Sequence, residues 1–482
     1  MIQINKILII VFCLFSSAVQ GKDYTFLVGG GDKPSNSQVQ IELNVKWIEG
    51  ILRDSGHTPR VFFTDGQAPE PDVLTHIGPE DDRAAALEPL TRMMGEYGDN
   101  YLAFRNNEVP NIEASTDATK LSATLKEAFA SMQPGDRIFF VYQGHGTWEK
   151  DSSNNALLLW NHTRLSAVEF QELLDALDPG VQFRFFFPQC FSGAFLRLAD
   201  ASPLAYKNST QAAQCGFTAV SATKLSEGCT VSLKADDFRD YSTYFFAALD
   251  GKTRLGKPLN GSADENGDGA ISLYEAHMYS LDNAYSTDLS RSTSEDFLEQ
   301  WQPWYLKWKA DIRDVPDNLF GKRARRIAAI NNYTGEGSTL KKRLFKQRKQ
   351  FVEEVESLRA KQADLETRQS QLHEGLKTRL LNHWPELMLP YTAAYKALMD
   401  NQLDAVLEWI DAQEDYHQLA AMQDENMSRM KDLLDLQRKI TQIDKIFRMI
   451  QLSRILEQLK VYGSDEDLAA YQRLFSCEDN PL

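Results

Sequence analysis

The chain has little positive charge and few long apolar segments. Its 482 residues include 52 Lys and Arg against 68 Asp and Glu, which gives a formal net charge of -16. This balance argues against a nucleic-acid binder, because such a protein needs a basic face to neutralise phosphates. It also argues against docking to anionic membrane surfaces. The apolar content of 43% is ample for a core, and the length suggests two or three domains.

The one conspicuous apolar run lies at the N-terminus. Lys6 precedes Ile7–Phe15, and small residues follow between positions 16 and 21. This pattern predicts a cleaved signal peptide over 1–21, and therefore a secreted or periplasmic protein. The alternative is an uncleaved anchor, but the run is too short to span a bilayer comfortably. We expect no membrane span in the mature chain.

Cysteine is scarce, and Cys13 would leave with the signal peptide. Four cysteines then remain: Cys190, Cys215, Cys229 and Cys477. Export to an oxidising compartment permits disulfides. We predict Cys215 and Cys229 as the pair, since a strand and a loop separate them, although spacing alone does not prove a bridge. Cys190 is then expected to be a thiol, and Cys477 is left unassigned.

Strand and helix signals alternate over residues 22–312. The predicted strands are Tyr24–Val28, Arg60–Phe63, Arg137–Tyr142, Ala156–Trp160, Val181–Phe187 and Phe217–Val220. The predicted helices are Val39–Leu52, Ala118–Met132 and a segment from Ser166 to Leu177. The polar stretch from Gln67 to about Ser115 is interpreted as a surface excursion. Strands buried on both faces and joined by helices are typical of a parallel α/β sheet.

Glycine and proline become rare in the last third of the chain. Leu344, Phe351, Leu358, Leu365 and Leu372 are spaced by seven, which predicts a helix with a one-sided apolar seam. A second long helix is predicted from about residue 422 to 459. We expect a linker over 313–337, a helical hairpin or coiled-coil domain over 338–462, and a C-terminal tail over 463–482. The helices are candidates for binding a protein partner.

A histidine motif follows one of the buried strands. Tyr142-Gln143-Gly144-His145-Gly146 lies just past the strand's carboxyl end, which is where ligands bind in open α/β sheets. The flanking glycines let the backbone turn sharply and approach a substrate. The imidazole can act as a general base or acid near neutral pH. A turn histidine without a catalytic role is the alternative.

A cysteine motif follows the next long buried strand, again at its carboxyl end. The segment is Phe187-Pro188-Gln189-Cys190-Phe191-Ser192-Gly193. A helix is expected to follow, and its N-terminus would favour the thiolate, which is the nucleophile. A buried structural cysteine is the alternative. Together the motifs place a thiol and an imidazole at one edge of a sheet, with N–H groups near Gly146 and Cys190 available for an oxyanion.

A His-Gly after one strand and a Cys-x-x-Gly after the next resemble the caspase-like clan of cysteine peptidases. The legumain family looks closest, since Ala219–Thr223, Glu227-Gly228-Cys229 and Tyr241–Phe245 are similar to its segments after the nucleophile. The resemblance covers about residues 23–278. It implies a caspase-like α/β/α sandwich with a mostly parallel sheet. It further implies catalysis by His145 and Cys190, and a pocket for the residue before the scissile bond near Ser221, Ala222 and Thr223.

The chain also departs from that family pattern. Gln189 precedes the nucleophile where relatives often carry an acidic or small residue, and no third catalytic residue is assigned. The leading hypothesis is an endopeptidase acting on protein or peptide substrates through a thioester, with transpeptidation as a close variant. The alternative is an inactive, calcium-stabilised caspase-like scaffold that binds a protein through its C-terminal helices.

Residues 264–275 match the EF-hand loop pattern at every position. The six expected ligands of a structural Ca²⁺ are Asp264, Asn266, Asp268, Ala270 through its carbonyl, Ser272 and Glu275. Gly269 supplies the sharp bend that such a loop requires. No entering helix is predicted before it, so we expect a single loop. No organic cofactor is expected.

Overall fold

A computed structural model describes residues 21–76, 82–94, 102–199, 214–228, 238–307, 315–333, 337–389 and 392–482. The predicted signal peptide lies almost wholly outside these ranges. Within them, no helix combines the length and the apolar character that crossing a membrane requires.

Twelve strands are described. They are β1 (Asp23–Gly30), β2 (Arg60–Phe63), β3 (Val73–His76), β4 (Leu102–Arg105), β5 (Ile112–Ala114), β6 (Arg137–Gly144), β7 (Gly146–Thr147), β8 (Ala156–Leu159), β9 (Thr163–Ser166), β10 (Gln182–Phe187), β11 (Cys215–Thr218) and β12 (Arg291–Ser292). Seven of them form one sheet in the order β12-β11-β10-β6-β1-β2-β5. All its pairings are parallel except that of β11 with β12. The protein is therefore mixed α/β with a mostly parallel central sheet.

Fourteen α-helices are described. They are α1 (Val39–Asp54), α2 (Asp82–Met94), α3 (Ala118–Ala130), α4 (Ala167–Leu174), α5 (Tyr241–Asp250), α6 (Leu273–Asn283), α7 (Thr293–Trp301), α8 (Trp304–Lys307), α9 (Leu319–Ile330), α10 (Gly337–His383), α11 (Ala393–Asn401), α12 (Leu403–Asp411), α13 (Glu414–Tyr462) and α14 (Asp465–Glu478). Serine caps start several of them. Ser166 and Ser272, for example, each form a capping box with a glutamate three residues later, an arrangement that satisfies two otherwise unpaired backbone donors.

Phenylalanines of β10 show how the sheet is covered on both faces. Phe183 and Phe187 contact Phe170 of α4. Phe186 points to the opposite face and packs against Phe245 of α5 at a ring distance of 4.4 Å. Side chains alternate along a strand, so a strand with apolar residues on both faces is stable only between two layers of helices.

Two predicted features differ in the structure. The strand predicted at Ala156–Trp160 is not in the central sheet, because β8 turns back on β9 in a hairpin and pairs with β7. Asn161 and His162 both have positive φ in the three-residue connection between β8 and β9, where the chain reverses tightly. The predicted surface excursion at 67–115 also contributes to the core, because β5 pairs with β2 at the sheet edge.

The C-terminal helices pack on the sheet domain. Leu344 of α10 and Ile443 and Ile446 of α13 are buried in the same apolar core as the strands. Residues 385–388 and helices α11 and α12 connect the two long helices. The segment predicted as a tail contains α14, whose Leu474 belongs to that core.

The predicted Cys215–Cys229 disulfide is wrong. Cys215 bonds instead to Cys477, with Cα atoms 6.0 Å apart, because α14 packs against β11 and brings Cys477 to the sheet. Cys229 lies outside the described residues. Cys190 keeps a thiol, as expected.

Candidate active site

The histidine and cysteine motifs meet at one edge of the sheet. β6 and β10 are parallel neighbours, with Phe140 opposite Phe185 and Val141 opposite Phe186, so their carboxyl ends lie side by side. A methyl carbon built on Gly146 would overlap the carbonyl oxygen of Cys190. The backbones of the two motifs are therefore in direct contact, and only glycine fits at position 146 without a shift.

The ring of His145 is held by the segment before α1. Its Nε2 lies 2.9 Å from the carbonyl oxygen of Asn36 and 2.8 Å from Oε1 of Gln38. A carbonyl only accepts hydrogen bonds, so Nε2 carries the proton and donates it. The neutral ring then has its lone pair on Nδ1. Burial lowers the pKa of His145, while the Asn36 carbonyl and Asp32 oppose the shift, and a lowered pKa favours the neutral, basic form of the ring.

A sharp turn and a neighbouring loop position Cys190. Phe191 adopts a left-handed conformation with φ of 61°, and its N–H donates to the carbonyl of Lys224 at 2.8 Å. The backbone N–H of Ser226 lies 3.3 Å from the Cys190 sulfur, and the thiol faces the Ser226 carbonyl at 3.8 Å. The N–H of Ser226 favours the thiolate, whereas its carbonyl, which accepts from the thiol, favours the protonated form.

The helix expected after Cys190 is a 3₁₀-helix, Ser192–Ala199. It begins with a short-range bond from the Ala194 N–H to the Phe191 carbonyl at 3.3 Å. A 3₁₀-helix also aligns its peptide dipoles, so its N-terminal end still carries positive partial charge. The N–H of Ser226 adds a further donor at the sulfur.

Ser221, Ala222 and Thr223 lie directly beside the nucleophile turn. A methyl carbon on Gly193 would come within 2.6 Å of the Ala222 nitrogen. The Ala222 carbonyl accepts a hydrogen bond of 2.8 Å from the side chain of Asn155. Ser221 and Thr223 line a cavity of about 670 Å³, and Ala222 lines a second one of about the same volume. The three residues predicted to bind substrate therefore border open space beside the turn that follows Cys190.

The loop that faces the thiol is anchored from α13. Both carboxylate oxygens of Glu227 are used, since Oε1 accepts from Arg438 at 2.9 Å and Oε2 accepts from the Thr287 N–H at 2.7 Å. The Glu227 N–H donates to Asp288 at 2.9 Å. Burial, with Glu227 and Asp240 nearby, raises the pKa of Asp288 to about 7. A residue of the long helix thus holds the neighbour of Ser226 in place.

Sequence reasoning missed several of these residues. Asn36 acts through its backbone, and Ser226 does so too, so no side-chain pattern could reveal either. Gln38 stands more than 100 residues from His145. Gln189 was noted as a departure from the family pattern. Its amide is buried, and neither amide atom has a hydrogen-bond partner in the part of the chain that the structure describes.

The predicted calcium loop lies against the C-terminus and not beside the thiol. Ser272 donates to Asp479 at 2.9 Å and forms a bridge with Pro481. The Asp264 carboxylate accepts from the N–H of Gly267 at 2.6 Å and of Gly269 at 3.0 Å.

Other loop oxygens also turn toward the loop's own backbone. Asn266 accepts from the Asp268 N–H at 2.8 Å, and Asp268 accepts from the Ala270 N–H at 2.9 Å. Glu275 reaches back to the N–H of Glu265 at 2.8 Å. Carboxylate and amide oxygens are the kinds of ligand that a hard cation such as Ca²⁺ prefers. Over the described ranges, no group of three or more His, Cys, Asp or Glu residues is arranged to hold a metal.

Comparisons with known proteins add little to this geometry. No family model matches the chain, and no curated protein matches it. Among solved structures, it is similar to the crystal structure of protein GSU0716 from Geobacter sulfurreducens, a structural-genomics target. The identity is 12% and the TM-score 0.31, over 56% of this chain and 92% of that one. A similarity at this level carries no argument about fold or function.

Proposed function

We propose that the protein is a cysteine endopeptidase of the caspase-like type, most similar to legumains, with Cys190 as nucleophile and His145 as base. The main support is the contact between the two motifs, in which the backbone of Gly146 packs against that of Cys190. The protonation of His145 on Nε2, which follows from the Asn36 carbonyl, adds to it. A caspase-like sandwich is the finer fold assignment that belongs to this proposal.

The chemistry follows from these positions. Nδ1 of His145 takes the thiol proton, and the Cys190 sulfur attacks the scissile carbonyl carbon. The N–H groups of Gly146 and Cys190 bind the oxyanion, a contribution of roughly 10²–10³ in rate per donor. The imidazolium returns its proton to the leaving amine, which leaves a thioester on Cys190. Water then hydrolyses the thioester, and an amine in its place would give transpeptidation.

An activity-based thiol probe tests the proposal. Labelling of the wild-type protein should disappear in Cys190→Ala and fall by roughly 10²-fold or more in His145→Ala, the scale of general-base catalysis. His417→Ala is the matched control, because that side chain is 59% exposed on α13 and should label normally. Absence of labelling, with or without Ca²⁺, would favour the inactive scaffold that binds a partner through its helices.

We also propose an exported protein with a structural Ca²⁺ in the 264–275 loop. The Cys215–Cys477 disulfide supports an oxidising compartment. Ca²⁺ should raise the melting temperature of the wild-type protein, since a ligand of the folded state alone stabilises it. Asp264→Asn should reduce that increase. Equal melting curves with Ca²⁺ and with a chelator would contradict the site.

A further inference from the structure

The cavity bordered by Ser221 and Thr223 is shared between two parts of the chain. One wall comes from the loop after β11, which also holds the Cys190 turn through the Lys224 carbonyl. The other wall comes from the long helices, through residues such as Val355 of α10 and Ile440 of α13. The C-terminal helices therefore help to shape a cavity beside the loop that holds the Cys190 turn.

The cavity is positively charged in an acidic protein. Four cations line it, Lys224, Arg291, Arg348 and Arg359, against the single acid Asp444. This excess of positive over negative side chains in the cavity is unexpected for a chain with a net charge of -16. Positive charge gathered in a concave site raises the local concentration of anions.

Two of the four cations are already paired. Arg348 makes a bidentate contact with Asp444 at 2.6 and 3.1 Å, and Arg291 bonds to Glu299 at 2.6 Å. In contrast, Lys224 and Arg359 are exposed, and within the described residues neither side chain has an ion pair or a hydrogen bond. These two cations come from opposite walls, one from the catalytic loop and one from α10.

Apolar groups accompany the charges. Val220, Val355 and Ile440 line the same cavity, and Leu225, beside Lys224, is 68% exposed. This combination suits a side chain with a hydrocarbon stem and a carboxylate end, because the stem is desolvated while the carboxylate meets cations. A fully apolar or a cationic side chain would leave Lys224 and Arg359 unmatched or repelled.

We propose that this cavity is a subsite for an acidic side chain of the peptide substrate, bound between Lys224 and Arg359. The proposal rests on the proposed function, since it treats the cavity as part of a peptidase site. It assigns a specificity role to the C-terminal helices, because Arg359 belongs to α10.

Binding to the uncleaving Cys190→Ala protein tests this subsite without requiring activity. The probes are fluorescein-labelled octapeptide pairs, amidated at the C-terminus, in which one position at a time holds Glu or Gln. Fluorescence anisotropy should show one position where Glu binds about five- to tenfold tighter than Gln, the scale for partly exposed ion pairs. The preference should weaken with salt.

Substitutions of the two cations test whether they cause the preference for Glu. Arg359→Gln and Lys224→Gln should each reduce the preference for Glu, and the double variant should abolish it. Lys361→Gln is the control, since it removes the same charge from α10 outside the cavity and should keep the preference. Equal affinity for Glu and Gln at every position, or a preference that survives in the double variant, would overturn the subsite. If the subsite fails this test but the wild-type protein is still labelled by the thiol probe, only the subsite is wrong. Loss of both results would mean that the peptidase assignment fails too.

Discussion

Removing the Cys215–Cys477 disulfide should lower the free energy of unfolding substantially. The bond joins residues separated by 262 positions. Closing a loop of this length restricts the unfolded chain by about 5.6 kcal/mol at 25 °C on the chain-entropy model. The double variant Cys215→Ala/Cys477→Ala should therefore lose about 2–5 kcal/mol, the range found for native bonds. Such a loss is a large fraction of the stability of an ordinary domain.

Urea unfolding without reductant, followed by far-UV circular dichroism, measures this loss. Cys190→Ala is the control, because it removes a thiol outside the bond and should shift the midpoint far less. Peptide mapping of the unreduced protein should also recover a fragment that links Cys215 to Cys477. A fragment linking Cys215 to Cys229, or a double variant within 0.5 kcal/mol of wild type, the usual range for surface substitutions, would refute the reasoning.

Three further predictions follow from the site and the core. Gly146→Ala should abolish thiol labelling, because its methyl carbon would overlap the Cys190 carbonyl. Gly50→Ala is the control, since Gly50 has open space around it and the variant should label normally. Equal labelling of the two variants would contradict the close packing at Gly146. The labelling rate should fall with acid at a midpoint below pH 6.5, since burial lowers the pKa of His145 from that value; a midpoint above 6.5 would count against a buried neutral base. Glu478→Gln should stabilise the protein at pH 8 and have little effect at pH 5. Burial raises the pKa of Glu478 from 4.5 to about 8, so the wild-type protein loses stability as pH rises through that range. If the substitution shifted the urea midpoint equally at both pH values, the Glu478 carboxyl would not be protonated in the folded protein at pH 5.

The sequence predicted the strands that carry the site because their signals are local. Runs such as Arg137–Tyr142 and Val181–Phe187 are too apolar to lie anywhere but in a sheet covered on both faces. The structure places them as β6 and β10, as neighbours in parallel. Gly-His-Gly and the turn after Cys190 were recognisable because glycine and a reactive side chain at a strand end are a local pattern as well.

Contacts between distant segments could not be predicted in this way. The pairing of Cys215 with Cys477 depends on where α14 packs, and nothing near either cysteine shows it. The hydrogen bond from His145 to the Asn36 carbonyl is made to backbone, which any residue could supply. The link from Arg438 to Glu227 spans 211 positions, and its two residues look like ordinary surface charges in the sequence.

Residues 465–482 complete the surroundings of the central sheet. Arg184 in the middle of β10 is buried, and its guanidinium donates to the carbonyl of Pro481 at 2.6 Å. While this segment is not yet packed, the buried guanidinium lacks that acceptor, and an unpartnered buried charge is costly. Contacts of such long sequence separation slow folding. We therefore expect docking of this segment to be a late step in folding, and a chain that lacks it to expose an unfinished core to quality control.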